Sequence, residues 1–139
     1  MPRPTKTLVA ADAVVVDRDR RVLFIRRRNP PYAGGLALPG GFVEPDETVE
    51  DACRRELAEE TGILVRRLKL VGVYSDPGRD PRGRVVSIAF LARVPAAKVR
   101  AGDDAADAIW LSRWRTRDLA FDHARILADA MDLLRRTLS

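Results

Sequence analysis

The chain has few of the features that mark secreted, membrane or nucleic-acid-binding proteins. Its one cysteine, Cys53, excludes an intramolecular disulfide and suits a reducing compartment. No apolar run approaches the ~20 residues that a membrane-spanning helix needs. The opening MPRPTKT has no apolar core of a secretory signal. Aromatic residues are 6% of the chain, too sparse for a basic and aromatic platform that would stack bases. There is no internal repeat, no low-complexity segment and no composition break. The expectation is a soluble cytoplasmic protein with no membrane and no nucleic-acid partner.

What is present is enough for a core. The 139 residues make one domain of ordinary size, 46% hydrophobic and 32% charged. The net charge is +5, but it is unevenly spread. From Glu44 to Glu60 there are eight acids against Arg54 and Arg55, a local charge of −6, so the remainder carries +11. An acidic pole in a basic body fits a cation site that faces an anionic substrate.

Taken in order, residues 1–6 are expected to form a flexible leader. Thr7 to Val16 is β-branched and apolar and reads as a strand; Asp17 to Arg20 is a turn, and Arg21 to Arg28 the partner strand. Asn29 to Gly35 is a loop by its proline and glycine content, and Leu36 to Leu38 a short strand entering Pro39-Gly40-Gly41. The spacing predicts a helix over Thr48 to Thr61, capped by Asp46 or Glu47 and stopped by Gly62. A strand within Ile63 to Tyr74 and another over Arg84 to Val94 form a hairpin. Pro95 to Ala106 is a loop, and Asp107 to Leu111 a short strand. Asp122 to Leu138 is an amphipathic helix with Asp122 as its cap. His123, the only histidine, is expected to cap or pack there. Trp110 and Trp114 are expected in the core or at an interface rather than as base-stacking platforms. Strands interleaved with two helices imply an α/β fold, with a mixed sheet between helices.

The acids of the central helix have an unusual phase. At about 100° per residue from Val49, Glu56 falls near −20°, Glu60 near +20° and Glu59 near −80°. They continue the apolar stripe of Val49, Ala52, Cys53 and Leu57 rather than opposing it. Carboxylates converging there repel one another and resist desolvation. A bound divalent cation resolves the conflict, and hard Mg²⁺ favours oxygen ligands. Glu59 and Glu60 are the leading metal ligands, with Glu56 as ligand or general base. Gly40 and Gly41 permit close approach of backbone to metal or phosphate. Cys53 reads as a small core residue.

The same stretch carries a pattern: Gly41, five residues, Glu47, seven residues, Arg55-Glu56-Leu57, one residue, Glu59-Glu60, one residue, Gly62-Ile63. It resembles the signature box of the Nudix hydrolases at every fixed position. The resemblance implies a Nudix α/β/α sandwich over essentially the whole chain. It implies a Mg²⁺ cofactor, with Mn²⁺ as a substitute, held by Glu56, Glu59, Glu60 and the Gly40 carbonyl. It assigns Glu47 and Arg55 to an ion pair that shapes the site, together with Gly41. The implied reaction is hydrolysis of a diphosphate joined to another moiety. The family places its general base variably, so Glu56 and the late acids Asp103, Asp104 and Asp107 all stand as candidates. A homodimer is also implied.

The box does not name the substrate. Ser75 to Gly83, SDPGRDPRG, followed by Val85-Val86-Ser87, is similar to the ADP-ribose pyrophosphatase branch of the family. Arg79 or Arg82 could clamp phosphate with a planar fork, and Tyr32 could stack on adenine. This points to ADP-ribose, a nucleotide sugar, split into AMP and ribose 5-phosphate. The enzymatic rival is a pyrophosphatase for oxidised nucleoside triphosphates. A rival of another class is a nucleotide-sugar sensor that does not cleave its ligand; intact Glu56, Glu59 and Glu60 weigh against it. Nudix-like regulators that sense ADP-ribose carry an added winged-helix domain, which is not expected here.

Overall fold

The computed structural model describes residues 6–95 and 105–137. The expected leader lies in its first five positions outside the described residues. So do Asp103, Asp104 and Leu138.

Strand β1 (Thr7–Val16) organises the sheet. Its run of Ala and Val is buried on both faces, as suits a strand covered on either side. β6 (Arg84–Arg93) runs parallel to it in unbroken register, from Thr7↔Arg84 to Val16↔Arg93. Along its other edge β1 has two partners. β4 (Gly40–Phe42) pairs antiparallel with Ala10 to Asp12, and β2 (Val22–Arg27) meets it at Val16↔Val22. Between them the Pro39 carbonyl accepts the Ala13 N–H at 2.8 Å. β3 (Leu36–Ala37) and β7 (Ala105–Leu111) flank β2, both antiparallel. β5 (Lys69–Tyr74) closes the far edge as the expected hairpin with β6. The tight β1–β2 turn is fixed by Asp17. Its carboxylate accepts the N–H groups of Asp19 and Arg21 at 3.0 and 2.9 Å and binds Arg21 Nε at 2.7 Å.

A helix covers each face. α1 (Val49–Thr61) packs Ala52, Cys53 and Leu57 on Ala11, Ala13, Val15, Leu23 and Phe90. α2 (His123–Thr137) packs Ile126, Leu127, Ala130, Met131 and Leu134 on Val14, Val16, Val22 and Phe24. Each fully buried leucine or isoleucine stabilises the fold by about 2 kcal/mol. Trp110 and Trp114 pack against the edges of these two cores. The fold is the expected mixed sheet between helices.

Several local expectations need correction. Thr48, not Asp46 or Glu47, caps α1: its Oγ1 accepts the Asp51 N–H at 3.1 Å. Glu47 instead folds back on its own loop and accepts the Glu44 N–H at 2.9 Å. Gly62 does terminate the helix, with φ +77°, a conformation that favours glycine. Gly40 to Phe42 is a strand rather than only a turn, because its backbone finds partners on β1. β7 starts at Ala105, before the expected Asp107. α2 begins at His123, which leaves Asp122 at the N-cap position, its carbonyl accepting the Ile126 N–H at 3.3 Å; its carboxylate, though, is bound by Arg79.

Candidate active site

The β4 turn and the C-terminal half of α1 meet because glycine leaves room. A Cβ on Gly40 would stand 2.4 Å from both the Ala11 carbonyl oxygen and Asp12 Oδ1. A Cβ on Gly41 would stand 2.4 Å from Glu56 Cδ. No ordinary side chain fits at either position without displacement. The turn therefore lies flat between β1 and the helix carboxylates.

The acids follow their helical phase. Glu60 is 4% exposed and accepts the Gly40 N–H through Oε1 at 2.7 Å. Glu56 is half-buried beneath Gly41. Glu59 lies at the rim, its side chain 57% exposed. Arg55 ties them together. Its Nε and Nη2 bind both oxygens of Glu47 at 3.0 and 2.6 Å, and Nη2 also reaches the Phe42 carbonyl at 3.1 Å. Its Nη1 donates to Glu56 at 2.8 Å and Glu59 at 3.3 Å. The hydrogen bonds from Arg55, then the Glu44 backbone, hold the Glu47 carboxyl down to about 2. Arg55 itself is raised, chiefly by Glu47.

Gly40, Gly41, Glu56 and Glu60 line a cleft of about 280 Å³; Glu47, Arg55 and Glu59 are not among its lining residues. Its other wall comes from β1, β6, the β5–β6 loop and the start of α2. Arg79 is nearly buried and bidentate on Asp122, with a third bond to Ser87 Oγ at 2.9 Å. Burial lowers its pKa, but Asp122 outweighs that and the net shift is upward. Arg82 grips Asp80 at 2.8 and 3.1 Å and lies over the rings of Phe42 and Phe121, at 4.9 and 5.3 Å from their centroids. Asp80 is buried, which raises its pKa; the bonds from Arg82 outweigh this and leave it lowered.

At the floor, Asp12 and His123 face each other, Oδ1 to Nε2 at 3.9 Å. His123 Nδ1 accepts the Leu38 N–H at 3.0 Å, so the neutral ring carries its proton on Nε2, toward Asp12. Burial lowers the His123 pKa and raises that of Asp12. Asp12 Oδ2 is buried without a hydrogen-bond partner among the described residues.

The structure brings Gly40, Gly41, Glu56, Glu60, Arg79 and Arg82 to one cleft, with Arg55 and Glu47 bracing them. Arg79 is committed to Asp122 rather than free to grip phosphate. Tyr32 does not line the cleft. It is 49% exposed and meets Phe121 edge-on, at 4.9 Å between centroids. Asp107 is exposed on β7 and is not among the residues lining the cleft. Sequence reasoning missed Asp12, Asp80, Arg27, Phe42 and Phe121. A single carboxylate inside the apolar run of β1 was the available signal for Asp12. Phe121, with φ +55° and Arg27 stacked at 5.1 Å, had none.

The donor set suits a hard divalent cation. Glu56, Glu59 and Glu60 offer carboxylate oxygens, and the Gly40–Gly41 backbone is pressed against them. Among the described residues, no three His, Cys, Asp or Glu side chains form a ready-made cage; the Arg55 guanidinium lies between Glu56 and Glu59.

The chain is similar to known proteins in sequence and in fold. An ADP-ribose pyrophosphatase of Methanocaldococcus jannaschii is 48% identical over 123 residues, covering 88% of this chain and 72% of that protein. The NUDIX domain of Shewanella oneidensis NrtR, solved with ADP ribose, superposes with TM-score 0.87. It shares 29% identity and is covered to 90% by 94% of this chain. A bifunctional NMN adenylyltransferase/ADP ribose pyrophosphatase from Francisella tularensis, solved with AMP and a Mn ion, gives TM-score 0.77 and 31% identity. There 96% of this chain covers only 42% of the neighbour. The NUDIX domain profile matches residues 6–130. With the box, the sandwich and the cleft in agreement, the chain belongs to the NUDIX family.

Proposed function

We propose that the chain is a Mg²⁺-dependent pyrophosphatase that hydrolyses ADP-ribose to AMP and ribose 5-phosphate. The observation that carries this is the convergence of Glu56 and Glu60 beneath the Gly40–Gly41 turn, at one wall of a cleft whose other wall is cationic and aromatic. The identity with the archaeal ADP-ribose pyrophosphatase and the likeness to an ADP-ribose-bound NUDIX domain support the substrate.

Glu56, Glu59, Glu60 and the Gly40 carbonyl hold the cation in this reading, with Mn²⁺ as a substitute. Such an ion would supply charge neutralisation for the diphosphate and a more acidic water. Glu56 is the preferred general base, its carboxylate oriented by the Arg55 Nη1 bond at 2.8 Å. Arg82 attracts phosphate at the cleft, and the Phe121 and Tyr32 rings offer an aromatic surface beside it. Arg79 acts through Asp122, setting where the start of α2 lies. Asp107 is not preferred as base, because it is not a cleft residue. Cys53, buried, suits a reducing cytoplasm. Among the described residues no helix is long and apolar enough to cross a membrane. We further expect a homodimer, to be checked by sedimentation equilibrium.

The test is a substrate panel with Mg²⁺, containing ADP-ribose, other nucleotide sugars and oxidised dGTP. Preferred turnover of ADP-ribose supports the proposal. Turnover of oxidised dGTP without turnover of ADP-ribose assigns the rival pyrophosphatase activity. Tight ADP-ribose binding without product assigns a sensor.

A further inference from the structure

At the other end of the sheet from the cleft lies a second, larger concavity of about 890 Å³, against about 280 Å³ for the cleft. The cleft is lined by Asp12 of β1 and Ser87 of β6; the groove is lined by Val16 and Leu91 on the same two strands. Asp12 and Val16 are four steps apart on β1, about 13 Å along a strand.

Its cations come from four separate parts of the fold: Arg18 on the β1–β2 turn, Arg54 on α1, Arg66, Arg67 and Lys69 around the start of β5, and Arg93 at the end of β6. Asp17 is its one acid, and that carboxylate is consumed by Arg21 and two backbone N–H groups. Arg54 is paired with Asp51. Among the described residues, Arg18, Arg66, Arg67, Lys69 and Arg93 form no ion pair. Six cations less one carboxylate leave a formal +5 in this groove. Of the +11 outside Glu44–Glu60, the groove holds +4, from five cations and Asp17, in one concave place.

We propose that this groove binds the phosphodiester backbone of single-stranded nucleic acid. Cations on facing walls repel until an anion lies between them, and arginine forks match phosphate oxygens. No aromatic side chain lines the groove among the described residues, so nothing there stacks a base. Recognition runs through phosphates alone and is indifferent to sequence. A concave site fed from several segments suits a strand passing through it better than the flat plane of lipid headgroups. The missing aromatic platform that argued against nucleic acid in the sequence argues only against base stacking.

The test is fluorescence anisotropy of a labelled short oligouridylate, titrated across salt, with the full chain and with the triple variant Arg66→Ser/Arg67→Ser/Arg93→Ser. All three side chains are exposed and lie outside the cleft. Four phosphates in the groove give a log–log salt slope of about −2.8, and losing three partners flattens it by about 2. ADP-ribose turnover stays unchanged in the variant, which also reports that it is folded. Excess ADP-ribose leaves the oligouridylate bound. The proposal is overturned by no binding at low salt, by an equal slope in the variant, or by displacement with ADP-ribose, which would put the strand in the cleft. Binding of phosphatidylserine vesicles without the oligouridylate overturns it in favour of a membrane surface.

Discussion

Gly41→Ala separates the demands of the fold from those of the chemistry. The added Cβ would meet Glu56 Cδ at 2.4 Å and both carboxylate oxygens at 2.6 Å. Ordinary carbon contacts begin near 3.5 Å, so the carboxylate must retreat by about 1 Å. The atoms it strikes are the far end of a flexible side chain, so overpacking there costs about 1 kcal/mol, the low end of the usual range. The same movement breaks the geometry that the Arg55 Nη1 bond sets for Glu56. A misplacement of about 1 Å at a reacting centre costs about 10²-fold in rate. Gly41→Ala is therefore expected to melt within a few degrees of the parent and to lose about two orders of magnitude in kcat for ADP-ribose. Gly40→Ala is the contrast, because its Cβ would strike the Ala11 carbonyl at 2.4 Å and Asp12 Cα at 2.9 Å. Backbone cannot step aside as a glutamate can, so that variant loses stability and activity together. Steady-state kinetics and thermal denaturation on both variants decide the matter. A Gly41→Ala enzyme with near-parental kcat would refute the role given to Glu56.

Four further expectations follow from the same geometry. Glu60→Gln keeps a carbonyl oxygen for the Gly40 N–H, so it should fold normally, yet kcat should fall by about 10²-fold or more and calorimetry should find weaker Mg²⁺ binding. Arg79→Ala strips the partner from Asp122 in a largely buried pair and should cost about 3 kcal/mol in urea denaturation; a loss under about 1 kcal/mol contradicts the bracing role. The folded-state pKa of Glu47, about 2, lies below its ordinary 4.5, so its contribution to stability is present above pH 4.5 and is lost as pH falls toward 2. Melting temperature against pH should accordingly be flatter over that window in Glu47→Gln, and parallel curves would deny the linkage. Cys53 is 1% exposed and its thiol is pushed up to about 12, mainly by burial, so a thiol reagent should label it only after unfolding.

The parts of this molecule that were legible in the sequence are those ruled by local periodicity and by spacing. The β-branched run of β1, the hairpin of β5 with β6 and the apolar stripes of both helices could be read directly. So could the inward phase of Glu60, since an α-helix turns by a fixed angle per residue; Glu59, expected on the same stripe, lies 57% exposed. The cap of α1 was misread because Asp46, Glu47 and Thr48 are all plausible caps, and only backbone direction selects Thr48. The parallel pairing of β1 with β6 joins residues more than 70 positions apart, and no local signal encodes it. For the same reason the Asp12–His123 pair and the Arg79–Asp122 fork were invisible: each joins distant segments. Arg79 looked like a phosphate ligand because the sequence shows its charge but not the carboxylate that occupies it.

The central claim is that the Glu56, Glu59 and Glu60 carboxylates serve Mg²⁺-assisted cleavage of ADP-ribose. It is tested most directly by product analysis after incubation of ADP-ribose and Mg²⁺ with the full chain and with Glu60→Gln. The account predicts AMP and ribose 5-phosphate in equal amounts from the parent chain, and a rate lower by at least about 10²-fold from the variant. Intact ADP-ribose after incubation with the parent chain, or equal rates from the two proteins, would contradict it.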